Sequence, residues 1–77
     1  MRLRFFGRLR DEIADELTLD LPGDVSDSEA VRAWLGRDHP AVLDPGVRIA
    51  LDDRMLVAPT MIGDAAEISF LPPMSGG

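Results

Sequence analysis

The chain has no cysteine and no lysine among its 77 residues, and a single histidine. Without cysteine, no disulfide staples the fold and no thiolate binds metal or attacks a substrate. The absence is compatible with the cytoplasm, the compartment expected for this chain. His39 has no second His or Cys with which to build a metal site. No apolar run approaches the length of a membrane span, and no basic, apolar, small-residue leader opens the chain. Neither membrane residence nor secretion is therefore expected. A chain of 77 residues makes one small domain. Such a domain buries only about 60–65% of the surface its unfolded form exposes, which leaves one thin core and no deep substrate pocket.

The formal net charge is −6. That argues against nucleic acid, whose affinity rests on Lys and Arg neutralising phosphates. It favours solubility and a basic partner. All eight basic residues are arginines, at 2, 4, 8, 10, 32, 37, 48 and 54. Two readings stand side by side. A GC-rich genome favours arginine codons, and a chain without lysine cannot trap an activated acyl end of its own as an isopeptide.

The hydrophobic periodicity gives strands and one helix. "RLRFFG" at 2–7 alternates Leu3 and Phe5 against Arg2, Arg4 and Phe6, the period of a half-buried strand. "ELTLDL" at 16–21 alternates again, with Leu17, Leu19 and Leu21 on one face. "RLRDEIAD" between them is too short for a stable helix and predicts one turn around Ile13. After Pro22-Gly23, Ser26 and Glu29 have the spacing of a capping box, and Ala30, Val31, Trp34 and Leu35 make a helical stripe. Trp34 is expected to be the main core residue under the sheet. Pro40 disfavours helix in the residue before it, so the helix should stop near Arg37–Asp38.

"DPG" at 44–46 is a turn, and "VRIAL" at 47–51 turns Val47, Ile49 and Leu51 to one side. Asp52-Asp53 is a tight turn, with "RMLVA" at 54–58 as the returning hairpin strand. "EISFL" at 67–71 is the last strand, with Ile68 and Phe70 inward and Ser69 and Leu71 outward. The order ββαβββ with one amphipathic helix predicts an α+β fold: a mixed sheet of four to five strands with one main helix packed on one face. A β-grasp course would place the first and last strands side by side in a parallel central pair, though pattern alone does not force it.

The catalytic inventory is poor. His39 sits before a proline in a loop, and a surface position is expected for it. The serines have no positioned base, and Asp52-Asp53 should face water. By elimination, the group with unusual chemistry is the main-chain carboxylate of Gly77. The segment before it is built to present that group. Pro72 and Pro73 have no N–H to donate to a ladder and favour polyproline geometry, which stiffens the exit from the body. Met74 is a flexible apolar anchor. Ser75 is small, and Gly76 and Gly77 pass where only backbone fits. Residues 1–71 are thus read as the folded domain and 72–77 as a flexible tail ending in Gly-Gly.

This combination resembles the MoaD-type small subunits of molybdopterin synthase, in the MoaD/ThiS family of ubiquitin-like sulfur carriers. "RFFGRLRDEI" resembles the family's "FF..(V/L)RE" pattern at Phe5, Phe6, Leu9, Arg10 and approximately Glu12. "SEAVRAWL" resembles the family helix, and "EISFLPPMSGG" matches "(E)(V/I)xFxPPxxGG" closely. Two positions depart. Asp52 stands where the family often has Asn, and Ala65-Ala66 stand where it has Gly-Asp before the last strand. Both departures fall in turns.

The resemblance implies a ubiquitin-like β-grasp carrier for molybdenum cofactor biosynthesis, not an enzyme by itself. It implies that an E1-like enzyme adenylates Gly77 with ATP and that a sulfur donor protein replaces AMP to leave a thiocarboxylate. Sulfur would then pass to cyclic pyranopterin monophosphate with the large subunit of molybdopterin synthase, in a heterotetramer. No cofactor is expected on the chain itself; ATP belongs to the activating enzyme. In a β-grasp sheet Phe6 and Leu71 would form an exposed apolar patch at the root of the tail, a partner site. Arg10 occupies a position where the family offers a polar contact. The alternatives are a sulfur carrier for thiamine or cysteine synthesis, and a ubiquitin-like modifier or interaction domain. Thiamine carriers tend to be shorter and to lack Pro-Pro in this context.

Overall fold

The computed structural model describes residues 1–73. Five strands form one sheet: β1 (Arg2–Phe5), β2 (Glu16–Thr18), β3 (Arg48–Leu51), β4 (Arg54–Met55) and β5 (Glu67–Leu71). Their order in space is β2-β1-β5-β3-β4. β1 and β5 run parallel at the centre, with Leu3 opposite Ile68 and Phe5 opposite Phe70. The three remaining pairings are antiparallel. Alternation drives this arrangement, because it turns Leu3, Phe5, Ile68 and Phe70 into one face, where all four are buried. The rings of Phe5 and Phe70 stack with centroids 5.5 Å apart, an aromatic pair that adds to plain area burial. Two helices complete the fold: α1 (Gly7–Glu12) and the longer α2 (Ser28–Gly36). Val31 and Leu35 of α2 close the core over the sheet. The expected α+β architecture, with five strands and one main helix, is present.

Trp34 is not the main core residue. It is half-buried at the margin of a core centred on Phe5, Phe70, Leu3, Leu9, Ile68 and Val31. Val31 and Leu35, one helical turn apart, take the face toward the sheet. Trp34 lies about 100° round the helix from Leu35, which turns the larger ring to the edge.

The helix cap also differs. Asp27 is the N-cap, its Oδ1 accepting from the Ala30 N–H at 2.8 Å. Ser26 instead uses its main-chain carbonyl to accept from Ile62 N–H at 2.9 Å. Glu29 is engaged by Arg32 at 3.1 Å. The predicted Ser26–Glu29 capping box therefore does not form. Asp27 stands one residue closer to the first helical turn and satisfies its free N–H directly.

The turn expected around Ile13 is the six-residue α1, and Ile13 is its C-cap. Its anchor is Leu9, only 1% exposed. The first four strands are shorter than their alternation suggested. Ser69 points to the outer face as expected, yet is buried between its cross-strand neighbours Arg4 and Ala50.

Asp52 does more than face water. It takes a left-handed conformation, φ 51°, in the two-residue turn between β3 and β4, where Leu51 pairs with Arg54. Its Oδ1 accepts from the N–H of Ala66 at 3.0 Å and of Glu67 at 3.2 Å. Its own N–H donates to the Glu67 carbonyl at 2.9 Å. The two departures from the family pattern, Asp52 and Ala65-Ala66, therefore meet in one turn that starts β5. Asp52→Asn keeps both an acceptor oxygen and tolerance of positive φ, so its unfolding free energy should stay within about 0.5 kcal/mol of the native chain. Asp52→Ala loses the acceptor and strains the turn, and should cost about 1–2 kcal/mol by urea denaturation. Equal midpoints for the two variants would show that the side-chain bonds contribute nothing.

Candidate functional site

The parallel pairing of β1 with β5 brings the end of β1 and the start of the tail together. Phe6 follows β1, and its N–H still donates to the Phe70 carbonyl at 3.1 Å. Leu71 ends β5 opposite Arg48 of β3. Alternation turns Arg48, Ala50 and Met55 to the same outer face, and Ala50 pairs with Met55 across the hairpin. The result is a shallow, mostly apolar cleft of about 350 Å³ lined by Phe6, Gly7, Arg48, Met55, Leu71, Pro72 and Pro73. Phe6 and Leu71 are half-buried rather than fully exposed, and Met55 is 39% exposed. The Arg4 guanidinium lies over the Phe6 ring, 5.1 Å from its centroid. That stacking covers one side of the ring and leaves a charge at the rim.

The structure brings Phe6, Leu71, Pro72 and Pro73 into one place. It does not bring Arg10 there: Arg10 is exposed near the end of α1 and does not line the cleft. Met74, Ser75, Gly76 and Gly77 lie outside the described residues. Met55 and Arg48 were not singled out in the sequence. Their signal was present nonetheless, because a two-residue turn at Asp52-Asp53 fixes the hairpin register and puts Met55 beside Ala50.

Charge is arranged unevenly around this face. Arg2 and Arg4 hold Glu67 at 2.7 Å and 3.6 Å, and Arg2 also approaches Glu16 at 3.9 Å. The hydrogen bond from Arg2 to Glu67 raises the guanidinium above its ordinary value. Arg8 pairs with Asp44 at 3.2 Å. Arg48 has no ion-pair partner among the described residues. The apolar cleft is thus flanked by Arg4 and Arg48, a local basic margin on a chain of net charge −6.

His39 is half-buried before the 3-10 turn Pro40–Leu43, and its main-chain N–H donates to the Leu35 carbonyl. Among the described residues no three His, Asp or Glu side chains converge as metal ligands. No helix there is long and apolar enough to cross a membrane.

A parallel β1–β5 pair, an antiparallel hairpin on each side and one main helix across the face define a ubiquitin-like β-grasp domain, here with an apolar cleft at the root of its C-terminal segment. The ThiS family profile matches residues 3–77, and the chain belongs to the ThiS family, the ThiS/MoaD-like ubiquitin-like sulfur carriers. No curated protein matches the chain.

Proposed function

We propose that this chain carries sulfur for molybdenum cofactor biosynthesis, as the small subunit of molybdopterin synthase. The observation that carries the reading is the join of "FLPP" to "MSGG": a central strand, a proline pair seated in an apolar cleft, and a family match that runs through Gly77.

The chemistry follows from what a carboxylate lacks. It is a poor acyl donor until its oxygen becomes a good leaving group. Attack of the Gly77 carboxylate on the α-phosphate of ATP forms an acyl-adenylate and releases pyrophosphate. Hydrosulfide supplied by the sulfur donor then attacks the acyl carbon, the bond to AMP breaks with AMP leaving on its phosphate oxygen, the S–H proton is lost to solvent, and a thiocarboxylate remains. That sulfur is soft and ionised at neutral pH, a better nucleophile than the oxygen it replaced. Delivered to cyclic pyranopterin monophosphate in the large subunit, two such sulfurs make the dithiolene. Activation and transfer both need side chains from partners. The role of this chain is to dock through the cleft and place its last residue in a partner's channel.

The ThiS family also contains carriers for thiamine synthesis, so the acceptor decides between pathways. The thiocarboxylated chain should support dithiolene formation when mixed with the large subunit and cyclic pyranopterin monophosphate. It should transfer no sulfur to the thiazole-forming system under the same conditions. The opposite pattern would assign the chain to the thiamine pathway, and transfer to neither would overturn both assignments.

A further inference from the structure

Pro72 and Pro73 rest against backbone where side chains are missing. A Cβ built on Gly7 would lie 2.8 Å from Pro72 Cγ, and one on Gly46 would lie 2.8 Å from Pro73 Cβ and 3.1 Å from Pro73 Cγ. Carbon atoms in good contact stand about 3.5–4.0 Å apart, so neither proline keeps its place beside any larger residue. The two glycines come from distant parts of the chain, one at the start of α1 and one just before β3.

Both are held. The Gly46 N–H donates to Asp44 Oδ1 at 2.8 Å, and the Val47 N–H donates to the Asp44 carbonyl at 2.9 Å. Arg32 donates to the carbonyls of Val42 and Asp44 at 3.0 Å and 3.4 Å. Arg8, next to Gly7, reaches the Asp44 carboxylate at 3.2 Å and so ties one glycine's segment to the other's.

We infer that Gly7 and Gly46 are positioning residues: together they form a seat that fixes Pro72 and Pro73 and so sets the direction of the chain at Pro73. This deepens the carrier reading and rests on it for its consequence, because a tail aimed elsewhere presents Gly77 wrongly to an activating enzyme that has docked normally. Gly46 gives the cleaner test. Unlike Gly7, at φ +55°, it is not in the left-handed region, so alanine there meets Pro73 without added backbone strain.

The experiment compares the native chain, Gly46→Ala and the control Gly23→Ala, whose new Cβ would meet nothing within 4 Å. Two readings are taken. Each chain also carries Ser75→Cys, a unique thiol because the sequence has no cysteine, labelled with a nitroxide. The body amides it broadens by NMR report where the tail points. The same three chains with Ser75 intact are then used as substrates in ATP–pyrophosphate exchange by the E1-like enzyme. Gly46→Ala should change the set of broadened amides and lower kcat by about tenfold or more, with KM within about twofold and an unchanged core by NMR. Gly23→Ala should match the native chain in both. If Gly46→Ala folds poorly, Pro73→Gly empties the same contact from the other side and should also change the broadened set.

An unchanged broadening pattern overturns the proposal whatever the activity. A changed pattern with native kcat overturns it too, as does a loss confined to KM. If the native chain supports no exchange, the carrier reading fails, and the broadening pattern alone still decides whether Gly46 aims the tail.

Discussion

A chain shortened by Gly77, or lengthened by one residue beyond it, is expected to fold like the native protein and to transfer no sulfur. The reason is reach. The residues beyond Pro73 must span from a fixed seat on the body to a reacting atom in a partner, and each residue extends the chain by at most about 3.3–3.6 Å. Removing or adding one moves the carboxyl carbon by up to that distance. A misplacement of about 1 Å costs on the order of 10²-fold in rate, so displacement by a whole residue should bring transfer to background. Stability should not follow, because the core is formed by side chains from Leu3 to Phe70. Single-turnover sulfur transfer and Tm, measured on the same preparations, separate the two effects. Native turnover by an extended chain, with no trimming of the extra residue, would remove the carboxylate of Gly77 from the mechanism.

Placing a carboxylate in the cleft is expected to cost more than about 2 kcal/mol of partner binding, roughly a thirtyfold rise in Kd. Phe6→Asp, Leu71→Asp and Met55→Asp should all show it. An apolar anchor desolvated on docking becomes a charge that must either stay hydrated or be buried unpaired. The three variants should differ in stability. Phe6 and Leu71 are half-buried in the free chain, the one beneath Arg4 and the other at the end of the central strand. Their aspartate variants should therefore also lose about 1 kcal/mol of folding free energy. Met55, on a two-residue edge strand and 39% exposed, should lose binding with little change in Tm. Titration calorimetry against the large subunit, beside thermal unfolding of the free variants, reads both. A large fall in Tm with unchanged affinity would mean that this face supports the fold and is not where the partner docks.

Much of this was written in the sequence, and the reasons for the rest are local. Strict alternation at Leu3/Phe5 and Ile68/Phe70 showed the inward face of the central strands, because a side-chain period of two leaves no freedom over which face is buried. The course of the chain was not forced by alternation, since a parallel and an antiparallel pairing bury the same residues. The resemblance of the tail supplied it. Trp34 shares the apolar stripe of α2 with Val31 and Leu35, yet it lies at the stripe's edge and is only partly buried. A nine-residue helix turns a narrow stripe to the sheet, and Val31 and Leu35 fill it. Ser26 and Asp27 both suit the cap, and the choice falls to Asp27 because the bridge from 26–28 to 60–62 sets where the helix starts, a long-range tie absent from the local pattern.

At the site, Phe6 and Leu71 were legible from alternation once the strands were neighbours. Met55 and Arg48 required the hairpin register to be followed through. The roles of Gly7 and Gly46 were not legible, because a glycine needed for close approach looks like any other until the atom it makes room for is known. Asp44 has the same history: "DPG" reads as a turn, but its pairing with Arg8 is a long-range contact that no local pattern contains.

The central claim is that Gly77 carries the sulfur, and the intact mass of the chain tests it most directly. The chain is incubated with the E1-like activating enzyme, ATP and a sulfur donor, then weighed and fragmented. The expected result is a gain equal to one sulfur replacing one oxygen, located at Gly77, dependent on ATP and absent from the chain lacking Gly77. An unchanged mass under conditions where the enzyme activates a known carrier, or sulfur located anywhere other than Gly77, would contradict it.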